Sequence, residues 1–498
     1  MHLKDLLSFD DIVIQCHDFP DADTIASGYA VYRYLVSNGK KPRLVYSGKT
    51  EISKPNLLLF ISELEIPLEY VKELCDVKLL LTVDCVHGEG NVTLFDADYY
   101  AAIDHHICAQ PPCALAEIRE NYASCATVVY RMLRHEAPEL LSDLSVSTAL
   151  YYGLYMDTNA FSEIKHAYDR DLRDLTDYDR NLILRLHNAN FTLSELEIAG
   201  EAFSHNVRFN QDKRFAIVKV KPCDPSILAI ICDLVLQVDN IDTDIVFCEL
   251  PNGIKFSVRS CVNEIRANEI AEFVTKGIGN GGGHAMKAAG FISSGLAADE
   301  ISRDEISDFF EEKMLSYLES FDVAWYDELK IDVENLPLYA EKEHNLGYFV
   351  SSEVVPSGAT VKLRSAKGDV SFEASSHKYI VTDKSGRCFP VDKPDFDFHY
   401  LPVDDSFEFD GCDYTPTIIT DDNNAHEITR YFRPCVTRHA NPVYVKRLER
   451  SLKLYTKHDR NDYLMGQEGD YLAVKVEDPS DIYIIDVAIL ESLYEKLS

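Results

Sequence analysis

The first two hundred residues repeat one texture: a short apolar run rich in β-branched residues, a polar turn, then apolar positions at helical spacing. The runs "DIVIQC", "KPRLVYSG", "KLLLTVDC" and "DYYAAIDHH" read as strands, and the stretches between and after them read as helices. That alternation predicts a parallel sheet flanked by helices over residues 1–195. The charged stretch "DRDLRDLTDYDRNLILRLHNANFTLSELEIAGEAF" has helical spacing and reads as a connector. A second α/β unit is expected over 205–325, with strands "RFAIVKV", "TDIVFCEL" and "GIKFSVRS" followed by the glycine-dense "GIGNGGGHAMKAAGF". Beyond 330 the texture becomes short alternating segments broken by Gly, Pro, Asp and Asn, such as "KYIVTDKSGRCFPV", "SFEFDGCDYTPTIIT", "EGDYLAVKV" and "DIYIIDVAIL". A smaller, mainly β domain over 330–498 is the natural expectation.

Composition narrows the class. At 498 residues, 46% of them hydrophobic, the chain suffices for several packed domains. Its most apolar runs are too short to span a bilayer and the start lacks a signal-like pattern, so a cytoplasmic protein without a membrane partner is expected. The 13 cysteines form no CxxC pair, which argues against a zinc ribbon or a dithiol redox site and fits reduced thiols. The net charge of −34 opposes adhesion to a long polyanion. A phosphate-bearing substrate must therefore meet metal ions or a local basic patch.

Four acid or imidazole clusters follow or end these apolar runs: His17, Asp21 and Asp23 after the first strand, Asp84 after "LLLTV", Asp104, His105 and His106 in "AAIDHH", and Asp157 after "LYYGLYM". The carboxyl ends of strands are where open α/β sheets bind ligands. An aspartate at such a position has an ordinary use as a helix cap or turn residue. The four clusters together supply both nitrogen and oxygen ligands, the mix suited to Mn²⁺ and similar divalent ions.

The ordered set His17-x-x-x-Asp21-x-Asp23, Asp84, Asp104-His105-His106 and Asp157 resembles the DHH phosphoesterase superfamily. The resemblance implies two divalent metal ions, Mn²⁺ with Mg²⁺ or Co²⁺ as alternatives. His17, Asp21 and Asp84 would hold one; Asp23, Asp84, His105 and Asp157 would hold the other, with Asp84 as the bridge. Two such ions suit phosphoryl transfer, since they acidify a water and neutralise charge. His106 would then act on the phosphate as a donor or acid, and Asp104 would orient the histidine pair.

In the second unit, "VRS" places Arg259 and Ser260 at a strand end, and "GNGGGHAMK" sets His284 behind Gly281, Gly282 and Gly283 with Lys287 close by. Glycines let backbone N–H groups approach an anion, and the side chains add donors. The combination looks like the substrate-binding domain that follows DHH domains in the nanoRNase/pAp-phosphatase, cyclic-dinucleotide phosphodiesterase and RecJ-like branch. The fold implied is α/β: a two-lobed DHH phosphoesterase with a parallel-sheet metal lobe, a smaller α/β substrate lobe closing a cleft, and a mainly β C-terminal domain. Its substrate-binding residues would be Arg259, Ser260, Gly281, Gly282, Gly283 and His284.

The expected activity is that of a Mn²⁺-dependent phosphodiesterase or exonuclease releasing nucleoside monophosphates from short oligonucleotides or cyclic or linear dinucleotides. A pAp-type 3′-phosphatase and a catalytically quiet nucleotide-sensing protein are the alternatives. The bulk charge favours short nucleic acid over long strands. Residues 431–460 are basic and carry Tyr444 and Tyr455, a pattern read either as a strip for single-stranded nucleic acid or a nucleotide, or as a solvated basic helix or an internal contact with the acidic body. Gating the cleft, binding a regulator and forming a homodimer are the roles open to the C-terminal domain.

Overall fold

The computed structural model describes residues 1–88, 91–106, 113–164, 166–189, 192–223, 225–295, 306–342, 345–365, 368–420, 424–437, 442–460 and 462–497. The chain divides into two compact units, one made of residues 1–190 and 345–436 and the other of 191–344 and 437–498. Among the described residues no helix is long and apolar enough to cross a membrane.

The first unit is built on a six-stranded sheet with strands β1 (Ile12–Cys16), β2 (Arg43–Tyr46), β3 (Leu68–Tyr70), β4 (Val77–Val83), β5 (Ala97–Asp104) and β6 (Leu115–Ile118) in the order β3-β2-β1-β4-β5-β6. Every pairing is parallel, as the strand–helix alternation predicts. The four strands expected from the apolar runs are present. The edge strands β3 and β6 carry no such run and only the structure reveals them.

Strand order reverses between the neighbours β1 and β4, so the chain leaves their carboxyl ends in opposite directions and opens a crevice there. Helices α1 (Ala22–Ser37), α2 (Cys125–Glu136), α3 (Leu144–Asp157) and α4 (Ala167–Leu175) pack around the crevice. Apolar side chains of β1, β4 and β5, including Ile14, Leu81 and Ile103, form one core with residues of the four helices. The helices meet closely at Gly153, where an added Cβ would lie 3.1 Å from both Ala26 Cβ and Ala126 Cβ and from Asp23 Oδ1.

The second unit contains a mixed sheet whose strand order is Gly279–Gly283, Lys287–Ser293, Gly253–Ser260, Thr243–Leu250, Phe215–Val220 and Val207–Asn210. Phe247, Phe256 and Phe310 fill its core against helices Ala267–Thr275 and Ile306–Leu318. The glycine-rich stretch is a β-hairpin within that sheet.

The C-terminal region is mainly β, but it is not a body apart over 330–498. Residues 345–436 form antiparallel sheets that belong to the first unit, and 437–498 belong to the second. Two contacts explain the division. The strand Ser451–Tyr455 pairs in parallel with Phe321–Trp325, and Arg364, wholly buried, binds Asp171 at 2.7 Å and Asp174 at 2.5 Å. "DIYIIDVAIL" is also only half strand: Ile482–Ile485 gives way to helix Val487–Leu493, because Asp486 caps it through the N–H groups of Ala488 and Ile489.

Candidate metal centre

All six ligand candidates lie in the first unit, at the carboxyl ends of β1, β4 and β5 and the end of α3. The turn after β1 is fixed before any ion is considered. Asp18 N–H donates to Asn91 O at 2.8 Å, and its carboxylate accepts from the N–H and hydroxyl of Thr93. His17 is thereby aimed into the crevice, where its Nε2 lies 3.8 Å from Asp21 Oδ1 and 3.6 Å from Asp84 Oδ2. Asp21 also serves the ordinary role weighed for it, accepting from the N–H groups of Asp23 and Thr24 as the cap of α1.

Asp84 follows β4 with φ +59°, a left-handed backbone that a non-glycine residue adopts only where its surroundings enforce it. Here its N–H donates to Ile103 O at 2.9 Å and Thr24 Oγ1 donates to Val83 O at 2.9 Å. The result is a buried carboxylate facing two ways. Oδ2 looks to His17, while Oδ1 lies 3.4 Å from His105 Nε2 and 3.6 Å from His106 Nδ1. Among the described residues, Asp84 Oδ1 is buried and accepts no hydrogen bond.

His105 Nε2 is 3.4 Å from Asp157 Oδ2 and 4.0 Å from Asp23 Oδ2. Its Nδ1 lies 3.3 Å from Tyr122 O, the backbone contact that fixes a ligating imidazole with Nε2 forward. Asp23 accepts from the N–H groups of Cys125 at 2.7 Å and Ala126 at 2.8 Å, at the positive start of α2. Asp157 is the last residue of α3, the negative end of a helix, where a carboxylate is disfavoured unless a cation compensates. Three groups result in which ligand atoms lie within 4.8 Å of one another: His17, Asp21 and Asp84; Asp23, His105 and Asp157; and Asp84, His105 and His106.

The charge balance asks for cations. Burial would lower the pKa of the His17 imidazole, but the facing carboxylates of Asp21 and Asp84 outweigh it and lift it to about 10. For His105 burial is likewise outweighed, chiefly by Asp84 and Asp157, to about 9. Burial and then the charges of Asp84 and Asp157 push the Asp23 carboxyl well above its usual range. Crowded buried carboxylates that draw protons in this way are stabilised by divalent ions instead. With an orphaned Asp84 oxygen and a mixed nitrogen and oxygen donor set, the residues fit such ions.

His106 differs from His105. Its side chain is half exposed, and its Nδ1 lies 2.9 Å from Asp104 Oδ1. Burial pulls its pKa down, yet Asp104 and Asp84 hold it at about 9. Burial pushes the Asp104 carboxyl up, and the hydrogen bond and charge of His106 reverse this to leave it below its usual range.

In the second unit, Arg259 and Lys287 stand directly opposite each other across two antiparallel strands. Like charges so placed repel unless an anion joins them. Asp233 supplies one, accepting from Arg259 Nε at 2.7 Å; no local signal had marked Asp233. His284 N–H donates to Lys287 O at 2.7 Å in the hairpin turn, so the VRS strand end and the GGGH turn share one end of the sheet. Other residues of the motif have packing duties. Ser260 is buried, with its hydroxyl 3.2 Å from Thr243 Oγ1. Gly281 lets the strand approach helix Ala267–Thr275, since a Cβ there would lie 2.4 Å from Ala271 O. Gly283 has φ +145°, and a Cβ there would meet Ala288 Cα at 2.7 Å, whereas Gly282 faces open space.

Several basic residues of 431–460 pair internally: Arg433 with Glu353, Arg450 with Asp322, Lys457 with Asp478 and Arg460 with Asp327. They lie on or beside strands rather than on a helix, and residues 438–441 of this segment fall outside the described residues.

Residues 11–154 match the DHH family, N-terminal domain, and residues 212–314 match the DHHA1 domain. A curated relative, the cyclic-di-AMP phosphodiesterase GdpP of Geobacillus thermodenitrificans, is 24% identical over 338 residues, spanning 62% of this chain and 49% of that protein. The chain thus spans about half the length of that relative. Among solved structures, an exopolyphosphatase-related protein from Bacteroides fragilis is similar at 17% identity and TM-score 0.47, covering 62% of this chain and 92% of that one. RecJ from Thermus thermophilus, solved with Mn²⁺, is similar at 14% identity and TM-score 0.37, covering 82% of this chain and 68% of that one.

Proposed function

We propose that this chain, which belongs to the DHH phosphoesterase superfamily, is a metal-dependent phosphodiesterase that hydrolyses short oligonucleotides or cyclic or linear dinucleotides to nucleoside monophosphates. The observation that carries the reading is the carboxylate of Asp84, strained and buried, with one oxygen toward His17 and the other toward His105.

In this reading His17, Asp21 and Asp84 hold one divalent ion and Asp23, Asp84, His105 and Asp157 the other. Mn²⁺ suits the mixed donors. Ions bound there would acidify a water and neutralise charge on the phosphoryl group. His106 is the donor toward the phosphate or leaving oxygen, its ring held by Asp104 through Nδ1. In the second unit Arg259, Lys287 and His284, with the open backbone at Gly282, form the cationic group that takes substrate phosphate. Ser260, Gly281 and Gly283 shape that strand end.

The net charge of −34 supports short substrates over long strands, which require a basic track. The GdpP relative, a cyclic-di-AMP phosphodiesterase, brings cyclic dinucleotides into the same class. The test is hydrolysis, with Mn²⁺, of 5′-phosphorylated RNA and DNA from two to about twenty nucleotides, together with pAp and cyclic dinucleotides. Fast loss of the shortest oligomers or of cyclic dinucleotides to monophosphates is expected. Release of inorganic phosphate alone, or no turnover by the metal-loaded protein, contradicts the proposal.

A further inference from the structure

Residues 345–436 have no role in the site as described, yet the loop that shapes the metal centre is tied to them. Two of its backbone elements face the candidate ligands: Tyr122 O lies 3.3 Å from His105 Nδ1, and the N–H groups of Cys125 and Ala126 bind Asp23. A shift of this loop therefore moves a histidine and a carboxylate of the same cluster.

The loop is held from outside. Ala123 N–H donates to Asp169 Oδ1 at 3.1 Å, and His166 N–H donates to Asp169 Oδ2 at 2.7 Å. The ring of Tyr122 stacks on His166 with centroids 4.5 Å apart. One carboxylate joins these parts: Asp413 Oδ1 lies 3.3 Å from Arg119 Nη1, and Asp413 Oδ2 lies 3.0 Å from Asn121 Nδ2 and 3.5 Å from His166 Nε2. Arg119 N–H in turn donates to the backbone oxygen of Asp104 at 3.0 Å, adjoining the DHH motif itself.

Asp413 is not a loosely placed surface group. The next residue, Tyr414, is buried in the core of the sheet and helices, and its hydroxyl donates to Asp171 Oδ2 at 3.1 Å. Asp171 also binds the buried Arg364 and the guanidinium of Arg134 on α2. The bend that carries Asp413, which leads into strand Thr417–Thr420, is thus anchored to α2 and α4 through Tyr414, and the carboxylate is presented to the loop from a fixed base.

We infer that Asp413 is a positioning residue for the metal centre: it binds Arg119 and Asn121 and lies against His166, so that the 119–124 loop and the start of α2 set His105 and Asp23 at ligand distance. The inference rests on the metal reading above. Residues 345–436 are then a brace for the catalytic unit.

The experiment is titration of the full-length protein with Mn²⁺ by calorimetry, comparing wild type, Asp413→Ala, Asp413→Asn and Glu353→Ala, with thermal unfolding of each. Glu353 pairs with Arg433 in the same region but does not touch the loop. Asp413→Ala should weaken Mn²⁺ binding about five-fold or more, given that losing partners of metal ligands costs 10–100-fold and Asp413 acts one step further out. Asp413→Asn, which keeps a hydrogen-bond acceptor for Asn121, should fall between it and wild type, and Glu353→Ala should bind as wild type. Unchanged affinity in both Asp413 variants, or equal loss in Glu353→Ala, overturns the inference. Wild type that binds no Mn²⁺ instead overturns the metal reading, and the wild-type trace alone distinguishes the two failures.

Discussion

Asp104 Oδ1 receives both the side chain and the backbone of His106: Nδ1 lies 2.9 Å away and the backbone N–H donates at 3.2 Å. The same oxygen also accepts from the His105 N–H at 2.7 Å, so one buried carboxylate sets the geometry of both histidines. In the proposed reading this gives Asp104 a positioning task, distinct from metal binding. Asp104→Asn should lower kcat about 10–100-fold, the usual cost of losing such a partner, while Mn²⁺ affinity changes less. Kinetics at saturating metal beside a metal titration check the split; equal losses in both would place Asp104 among the ligands.

The glycine run divides by position. Gly281→Ala forces a Cβ to within 2.4 Å of Ala271 O and should cost about 1–3 kcal/mol of stability. Gly282→Ala meets nothing within 4 Å and should stay within about 0.5 kcal/mol of wild type. Urea denaturation of the two variants tests this ordering, and a Gly282 variant as unstable as the Gly281 variant would refute it.

His166 provides a pH signature away from the metal cluster. Burial lowers its pKa to about 4, against the charge of Asp413 and with Arg170, Arg131 and Arg119 adding to the effect. Above about 6.5, the ordinary histidine value, the ring is neutral whether the chain is folded or unfolded. Below it the unfolded chain takes up the proton first, so stability falls as pH drops from about 6.5 toward about 4. The contribution is on the order of 3 kcal/mol across that window. Denaturation curves from pH 7 to pH 4 should show this loss in wild type and a shallower slope in His166→Asn; parallel slopes would count against a buried neutral His166.

Much of the first unit and its candidate site is legible because the chemistry is local. Each ligand candidate lies beside an apolar run whose own pattern announces a strand or helix, and in an open parallel sheet such ends converge where the strand order reverses. Asp21 shows that local signals carry two meanings at once, since it caps α1 and also faces His17. The β3 and β6 edges carry no apolar run to announce them, since Glu69 interrupts one and Glu117 the other, whereas the equally short β2 reads through as an apolar run.

The C-terminal third resisted for a different reason. Arg364 in "TVKLRS" and Lys453 in "SLKLY" each occupy an alternating strand position that reads as solvent-facing, yet both side chains are wholly buried. Arg364 meets Asp171 across 193 residues, and Lys453 meets Glu269 at 2.7 Å across 184 residues. Lys453 also lies over the rings of Phe321, Tyr317 and Tyr463, a site that tolerates a buried ammonium. Pairing at such separation leaves no trace in local periodicity, so a division of residues 330–498 between two units is not readable from the chain. The same holds for Asp413, whose partners are Arg119, Asn121 and His166.

The central claim is that the crevice between β1 and β4 holds two divalent ions that share Asp84. Calorimetric titration of metal-free protein with Mn²⁺ measures it directly, with Asp84→Ala beside wild type. Two ions per chain in wild type and at most one, weakly held, in the variant is the predicted result. A wild-type stoichiometry of one or none, or two ions bound with undiminished affinity by Asp84→Ala, would contradict it.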